Sequence, residues 1–269
     1  MPTSTDRMTS AALIAMKQRG ERIVCLTCYD AAFCRVLERA GVDVLLVGDS
    51  LGMVVQGQAT TVPVTLEHMV YHSACVSRAR ERALLIADLP FLSYASGGRA
   101  LDAAARLMGE GGAAMVKLEG GAELAGTVRR LTRFGVPVCA HLGLLPQSVH
   151  RLGGYRYQGR DAAGAARIRA DALALQEAGA ALLVLECVPA ELAAALAAEL
   201  AIPVIGIGAG NRCDGQVLVL YDILGLTPGR PPRFSKDFMA GRGNITEAVA
   251  AYAAEVRAGV FPGPEHTLA

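Results

Sequence analysis

Short apolar runs recur along the chain and alternate with stretches whose apolar residues have helical spacing. The runs are nearly continuous rather than alternating, which is typical of strands buried on both faces of a parallel sheet. Eight runs fit this description: Arg22–Tyr29, Val42–Val47, Ala83–Ala87, Ala113–Leu118, Pro137–His141, Ala181–Leu185, Pro203–Ile207 and Gln216–Tyr221. Eight strands separated by helices and short loops favour a closed α/β barrel of the (β/α)8 or TIM type over an open sheet.

The segments between the runs predict amphipathic helices that pack on the outside of this barrel. Three apolar stripes have helical spacing: Leu101, Ala104, Ala105 and Met108; Leu124, Val128 and Leu131; Ala172, Leu175 and Ala178. A glycine precedes several strands, at the place where the end of a helix turns left-handed: Gly41, Gly112, Gly135 and Gly179. A last helix is predicted over Asn244–Ala258, after a proline-rich link (Pro228, Pro231, Pro232).

Length and charge narrow the class of protein. The 269 residues fit one barrel of about 250 residues, so we expect a single domain over residues 1–269. The net charge of +1 gives no argument for nucleic acid or an anionic membrane. No apolar run approaches the ~18 residues of a membrane span, and no basic stretch followed by an apolar run marks a secretory signal. We therefore expect a soluble cytoplasmic protein.

The seven cysteines are scattered, and only Cys25 and Cys28 form a CxxC pair. This pair lies within the first predicted strand, where odd spacing points the two side chains to opposite faces. The pattern favours small buried apolar residues in a reducing compartment over a redox or zinc pair.

Acidic residues end three consecutive predicted strands, at the rim where barrels of this kind carry their active sites. They are Asp49, Asp88 and Glu119. A single acid in such a place is usually a helix cap or simply solvated. Three on one rim repel each other unless a cation lies among them, and carboxylate oxygens suit Mg²⁺. The pattern therefore predicts a magnesium site.

Three further polar residues on the same rim are candidates for chemistry. Lys117 lies two residues before Glu119, so both point to one face of the strand; it either pairs with Glu119 or holds a substrate carboxylate or a developing enolate. Glu186, after the sixth strand, is either a general base or a helix cap. His141 is either a ligand, an acid or a structural histidine. The segment Gly143–Gln158 is long enough to be a lid.

The motifs around these residues resemble those of the ketopantoate hydroxymethyltransferase family in order and spacing, from about Thr9 to His266. The matching segments are Val47–Met53, Ala87–Phe91, Val116–Gly121, His141–Leu144 with Pro146–Ser148, Leu185–Pro189 and Ile205–Gly210. The departures are mild, since Cys28 replaces a commoner alanine and Leu145 a usual threonine. Neither position is a charged site residue.

The resemblance implies a barrel of the phosphoenolpyruvate/pyruvate type and a specific reaction. The family transfers a hydroxymethyl group from 5,10-methylenetetrahydrofolate to 3-methyl-2-oxobutanoate, which gives 2-dehydropantoate for pantothenate synthesis. By resemblance, the Mg²⁺ ligands would be Asp49, Asp88 and Glu119, with Glu119 bound directly or through water. The substrate would contact Asp49, Ser50, Asp88 and Lys117, and Glu186 would remove its C3 proton. A homo-oligomer, a decamer in this family, is also implied.

Two other functions fit the residues. A Mg²⁺-dependent C–C lyase of the isocitrate lyase-like barrels also uses an enolate, but it needs an acid–base cysteine in a mobile loop, and Gly143–Gln158 has none. A non-catalytic binding barrel would have no need of the full charged set.

Overall fold

Each of the eight apolar runs overlaps a strand in the computed structural model, which describes residues 7–227 and 229–267. The strands are β1 Ile23–Thr27, β2 Val44–Val47, β3 Leu84–Asp88, β4 Met115–Glu119, β5 Val138–Gly143, β6 Leu182–Glu186, β7 Val204–Ile207 and β8 Gly215–Leu218. Neighbours pair in parallel and in chain order, and β8 pairs with β1, which closes the barrel. The prediction of a (β/α)8 barrel is confirmed.

The strands are buried almost throughout, as their continuous apolar runs predict. Only the last residues of β5 and β6, Gly143 and Glu186, are partly exposed. The register places the polar strand ends side by side. Asp88 is opposite Lys117, and Glu119 is opposite His141. Hydrogen bonding between strands therefore fixes the height at which each of these side chains enters the mouth of the barrel.

In the described residues one helix precedes β1, and helices follow every strand except β7. They are α1 Ser10–Gln18, α2 Ala31–Arg39, α3 Leu51–Val54, α4 Leu66–Ala79, α5 Gly97–Gly109, α6 Ala125–Arg133, α7 Val149–Leu152, α8 Ala162–Glu177, α9 Ala190–Glu199, α10 Leu220–Ile223 and α11 Ile245–Arg257. Short 3-10 turns occur at Ala122–Leu124, Pro146–Ser148 and Pro264–His266. Asn244 caps α11 by accepting the Glu247 N–H, so the last predicted helix is correct within a residue. The four glycines before strands have φ between 70° and 103°.

The predicted end of the eighth strand is wrong. The apolar run extends to Tyr221, but β8 ends at Leu218, and Leu220 and Tyr221 lie in α10. The Leu220 N–H donates to the Thr27 hydroxyl at 2.9 Å, where the chain leaves the sheet. A short apolar run carries no signal that separates a strand from the first turn of a buried helix.

The predicted apolar stripe of α5 is rotated from the observed one. The buried residues are Ala100, Ala103, Ala104 and Leu107. Of the predicted stripe, Ala105 is exposed, while Leu101 and Met108 are partly buried. Because alanines lie on several sides of this helix, the sequence does not indicate which side packs against the barrel. The other two stripes are correct, apart from Leu124, which is only partly buried.

The segment Gly143–Gln158, whose length suggests a lid, contains regular structure. It contains the turn Pro146–Ser148 and α7, and Gln147 within it is buried. Its role as a lid stays a prediction. In the proline-rich link, Pro228 lies outside the described residues, while Pro231 and Pro232 belong to neither a helix nor a strand.

The cysteines agree with the sequence prediction. All seven are free; six are buried and Cys75 is partly buried. In the described part of the chain, we find no helix with both the length and the apolar character to cross a bilayer. The assignment of residues 1–269 to one domain stays a prediction.

The buried face of α5 gives a stability prediction. Leu107 is fully buried, so Leu107→Ala should lower the free energy of unfolding by about 2–5 kcal/mol through lost burial and a cavity. Ala105→Ser, on the exposed side of the same helix, should change it by no more than about 0.5 kcal/mol. Urea unfolding followed by circular dichroism measures both. Equal losses would contradict the observed orientation of α5.

Candidate active site

Every residue predicted for the site lines one cavity at the carboxyl ends of the strands. The cavity encloses about 500 Å³. Its lining includes the six predicted residues Asp49, Ser50, Asp88, Lys117, Glu119 and Glu186, together with His141. The strand ends therefore bring together a set of charges that is spread over more than 130 positions of the sequence.

The three predicted metal ligands are buried and do not cap helices. Asp49, Asp88 and Glu119 are 3%, 3% and 7% exposed. The residue at the N-cap of α3 is Ser50, and α5 is capped by Ser96. An acid at the end of a predicted strand that does cap a helix is Asp30, whose carboxylate accepts two N–H groups at the start of α2. Helix capping therefore does not explain why Asp49 and Asp88 stand at the ends of their strands.

Lys117 pairs with Asp88 on the neighbouring strand. Its ammonium Nζ lies 3.0 Å from Asp88 Oδ1, and the other carboxylate oxygen accepts the Asp49 N–H at 3.1 Å. Within the described residues, Lys117 forms no ion pair with Glu119, which was one of the two alternatives from the sequence. The Lys117 side chain is 6% exposed, so the pair is held away from solvent.

His141 lies between the two acidic parts of the site. Its Nδ1 is 3.6 Å from Glu119 Oε1, and its Nε2 is 3.2 Å from Glu186 Oε2. Burial and the Lys117 charge lower the pKa of His141, but the nearby carboxylates of Glu119 and Glu186 outweigh them, and the pKa lies above its usual value. The imidazole therefore joins the carboxylates of β4 and β6.

Glu186 faces the cavity and does not cap the helix that follows it. The N-cap of α9 is Pro189, which has no side-chain hydrogen bond to the helix. The Glu186 side chain is 14% exposed, more than the carboxylates on β2 to β4. Cys187, the next residue, has φ of +49°, a conformation that is uncommon outside glycine. The chain turns sharply there, directly after the acid.

Ser50 contacts Tyr29, the last residue of the first apolar run. Its hydroxyl Oγ lies 2.9 Å from the hydroxyl of Tyr29, which is 2% exposed. The contact leaves the Ser50 hydroxyl on the wall of the cavity.

Gln147 is the main site residue that the sequence reasoning missed. Its amide Nε2 donates to Asp49 Oδ2 at 2.8 Å and to the Leu89 carbonyl oxygen at 2.9 Å. Its backbone N–H donates to Glu119 Oε2 at 3.0 Å, and its Oε1 accepts the Tyr94 hydroxyl at 2.6 Å. Gln147 lies in a matching motif, but an uncharged amide in a loop carries no chemical signal of its own.

The electrostatics of this cluster suit a divalent cation. Burial raises the pKa of Asp49 well above its usual value, and the charges of Asp88 and Glu119 raise it further. Asp88 Oδ1 is buried and has no hydrogen bond of good geometry within the described residues, although it faces Lys117. Three carboxylates thus face a single ammonium, and carboxylate oxygens are ligands that Mg²⁺ prefers.

The side chains are not arranged as a finished metal site. In residues 7–227 and 229–267, no group of three or more His, Cys, Asp or Glu side chains is placed to hold an ion. The donor set fits Mg²⁺ by its chemistry and burial, and coordination by all three carboxylates stays a prediction.

Known proteins resemble this chain in sequence and in fold. A phosphoenolpyruvate phosphomutase from Streptomyces platensis has a TM-score of 0.61 at 14% identity, covering 81% of this chain and 83% of that one. A phosphonopyruvate hydrolase in complex with oxalate and Mg²⁺ has a TM-score of 0.62 at 12% identity, covering 93% and 98%. At such identities the likeness shows the fold alone, a closed barrel of eight parallel strands with helices.

The sequence comparisons identify the family. A protein from Halorhodospira halophila named 3-methyl-2-oxobutanoate hydroxymethyltransferase is 60% identical over 263 residues, which are 98% of this chain and 95% of that protein. The family model described as ketopantoate hydroxymethyltransferase matches residues 7–264. The chain therefore belongs to the ketopantoate hydroxymethyltransferase family.

Proposed function

We propose that this protein transfers a hydroxymethyl group from 5,10-methylenetetrahydrofolate to 3-methyl-2-oxobutanoate and forms 2-dehydropantoate, the first committed step of pantothenate synthesis. Family membership and the name of the 60% identical relative support the activity. The structural observation that carries it is the single cavity that holds three buried carboxylates, a buried ammonium and a separate acid on β6.

The carboxylates of Asp49, Asp88 and Glu119 would hold Mg²⁺, with Glu119 bound directly or through water. When bound, the metal withdraws charge from the keto oxygen and stabilises the enolate. The Mg²⁺ in the phosphonopyruvate hydrolase structure supports this choice of ion by analogy of fold. Asp49 and Asp88 thereby bind the substrate as well as the metal.

Lys117 and Ser50 would hold the carboxylate of the keto acid. Burial lowers the pKa of Lys117, but the charges of Asp88, Glu119 and Asp49 outweigh burial and raise it. The ammonium is therefore charged at neutral pH and supplies a fixed positive group for an anionic substrate. The Ser50 hydroxyl, held by Tyr29, supplies a hydrogen bond beside it.

Glu186 would act as the general base. It takes the C3 proton of the keto acid, and the electron pair left on C3 forms the enolate. C3 bonds to the methylene carbon of the donor, and the two bonds from that carbon to folate nitrogens break. Water supplies the oxygen of the new hydroxyl group. The proton taken from C3 and one proton from water go to the two nitrogens, and tetrahydrofolate leaves. The nearby imidazole of His141 holds the Glu186 carboxylate toward the cavity.

We also propose a location, an assembly state and binding partners for this enzyme. A cytoplasmic homo-oligomer, a decamer by family resemblance, that binds a keto acid and a folate fits the proposed reaction. Neither the near-neutral charge nor the site suggests nucleic acid or a membrane as a partner.

Dependence on the donor tests the proposed reaction. We expect purified protein with Mg²⁺ to form 2-dehydropantoate only when methylenetetrahydrofolate is present, which product mass spectrometry measures. Cleavage of a substrate C–C bond without folate would instead indicate a lyase. Failure to turn over any substrate would indicate a binding barrel.

Replacement of the proposed base tests the role of Glu186. Glu186→Gln keeps the size of the side chain but removes its ability to accept a proton, so exchange of the C3 hydrogen with solvent deuterium should fall by about 10²–10⁴-fold. Binding of 3-methyl-2-oxobutanoate, measured by calorimetry, should stay nearly unchanged. Proton NMR follows the exchange, and an unchanged rate would remove the base assignment.

Removal of the metal tests the carboxylate cluster. Exhaustive chelation should reduce both exchange and transfer by at least about 10²-fold, because the developing enolate loses its main charge stabilisation. Added Mg²⁺ should restore both to the wild-type protein but not to Asp49→Asn. Activity that survives chelation, with metal content checked by mass spectrometry, would exclude the proposed site.

A further inference from the structure

One buried carboxylate in the cavity has no part in the proposed chemistry. Asp222, in α10 after β8, is 7% exposed and lines the same cavity as Glu186. One of its oxygens accepts the hydroxyl of Thr227. Within residues 7–227 and 229–267 no cation forms a salt bridge with it, and burial raises its pKa. A buried acid without a cation is costly, and its place on a cavity wall indicates a ligand that donates hydrogen bonds.

The position of Asp222 separates it from the proposed keto-acid groups. Those groups follow β2 to β6, whereas Asp222 follows β8, which lies between β7 and β1. The enzyme has to bind two substrates in one cavity, and the metal-side rim is already assigned to the keto acid. The rim after β8 is therefore available to the second substrate.

The same cavity is also lined by partly buried apolar residues and by exposed cationic residues. Pro232 and Phe234 contribute apolar surface to the cavity, and Arg230 and Arg233 are exposed residues that also line it. Arg233 donates through Nε to the Glu265 carbonyl oxygen at 3.1 Å. Neither guanidinium forms a salt bridge in the part of the chain that the structure describes.

A reduced folate has the complementary order of groups. One edge of its pterin ring carries an amino group and ring N–H groups, which match a carboxylate in both hydrogen bonding and geometry. The middle of the molecule is aromatic, and its glutamate tail carries carboxylates, which arginine binds well. In order of increasing exposure, the lining of the cavity offers a buried acid, partly buried apolar residues and exposed arginines, which is the order of groups along the folate.

We propose that Asp222 binds the N–H edge of the pterin ring, and that Arg230 and Arg233 bind the glutamate carboxylates of the same donor. The inference rests on the proposed function for the use of a folate, and it adds where and in which direction the folate lies. The pterin is innermost, against α10, and the glutamate tail leaves through the mouth beside the two arginines.

The variant Asp222→Asn separates donor binding from the chemistry on the keto acid. Asparagine keeps an oxygen for the Thr227 hydroxyl but loses the charge and one acceptor, so the KM for methylenetetrahydrofolate should rise about tenfold or more. The KM for the keto acid and the rate of folate-free C3 deuterium exchange should stay within about twofold of wild type, since both report the other side of the cavity.

The arginines are tested with donors of different tail length. Wild type should have a lower KM for the triglutamate form of the donor than for the monoglutamate form, and the double variant Arg230→Ala/Arg233→Ala should lose most of that difference. Arg133→Ala, exposed in the last turn of α6 at the opposite end of the barrel, is the matched control and should keep it.

Each half of the proposal has a result that overturns it. A donor KM within twofold of wild type in Asp222→Asn, or a parallel loss of exchange and transfer, would remove the pterin assignment. Equal KM values for the two donors in wild type would remove the arginine assignment. Wild-type protein that exchanges the C3 hydrogen but never uses a folate would overturn the proposed function, and the inference with it.

Discussion

The ion pair between Lys117 and Asp88 is the interaction on which the rest of the site depends. Three buried carboxylates at one end of a barrel would repel each other strongly, and this 3.0 Å contact is the main compensation that the protein itself provides. It follows directly from the pairing of β3 with β4, which places the two residues opposite each other. Removing the ammonium would leave buried charge uncompensated, which usually costs more than the pair itself contributes.

Polar contacts around the rim reach the remaining carboxylates. The His141 imidazole lies between the acids of β4 and β6, and Gln147 donates hydrogen bonds to those after β2 and on β4. Because the donors come from a strand and from the turn that follows it, the site is built by β5 and its loop as much as by the strands that carry the acids. Deleting one donor should therefore affect several carboxylates together.

The sequence predicts those parts of the structure that rest on strong, local signals. Continuous apolar runs identified all eight strands, and charged residues at their ends identified Asp49, Asp88, Lys117, Glu119 and Glu186 as neighbours in one cavity. Their roles in metal binding and catalysis remain predictions.

The parts that could not be predicted depend on packing in three dimensions. The partner of Lys117 depends on strand register, and the face of α5 depends on which of several similar alanines meets the sheet. Gln147 and Tyr29 are uncharged residues that act through hydrogen bonds, and such residues leave no pattern in the spacing of charges or apolar residues. Similarly, the change from strand to helix after Leu218 is set by a contact with Thr27, almost two hundred residues away.

The location of Gln147 links access to the site with its internal order. The same turn, Pro146–Ser148, both borders the cavity and supplies donors to Asp49 and Glu119. Any displacement of that turn to admit a substrate would break the hydrogen bonds from Gln147 to both Asp49 and Glu119, and the repulsion between the two carboxylates would increase. Opening the cavity without a cation would therefore be unfavourable, whereas a bound cation would offset the repulsion between the two acids. Metal binding and entry of the substrate would then be coupled.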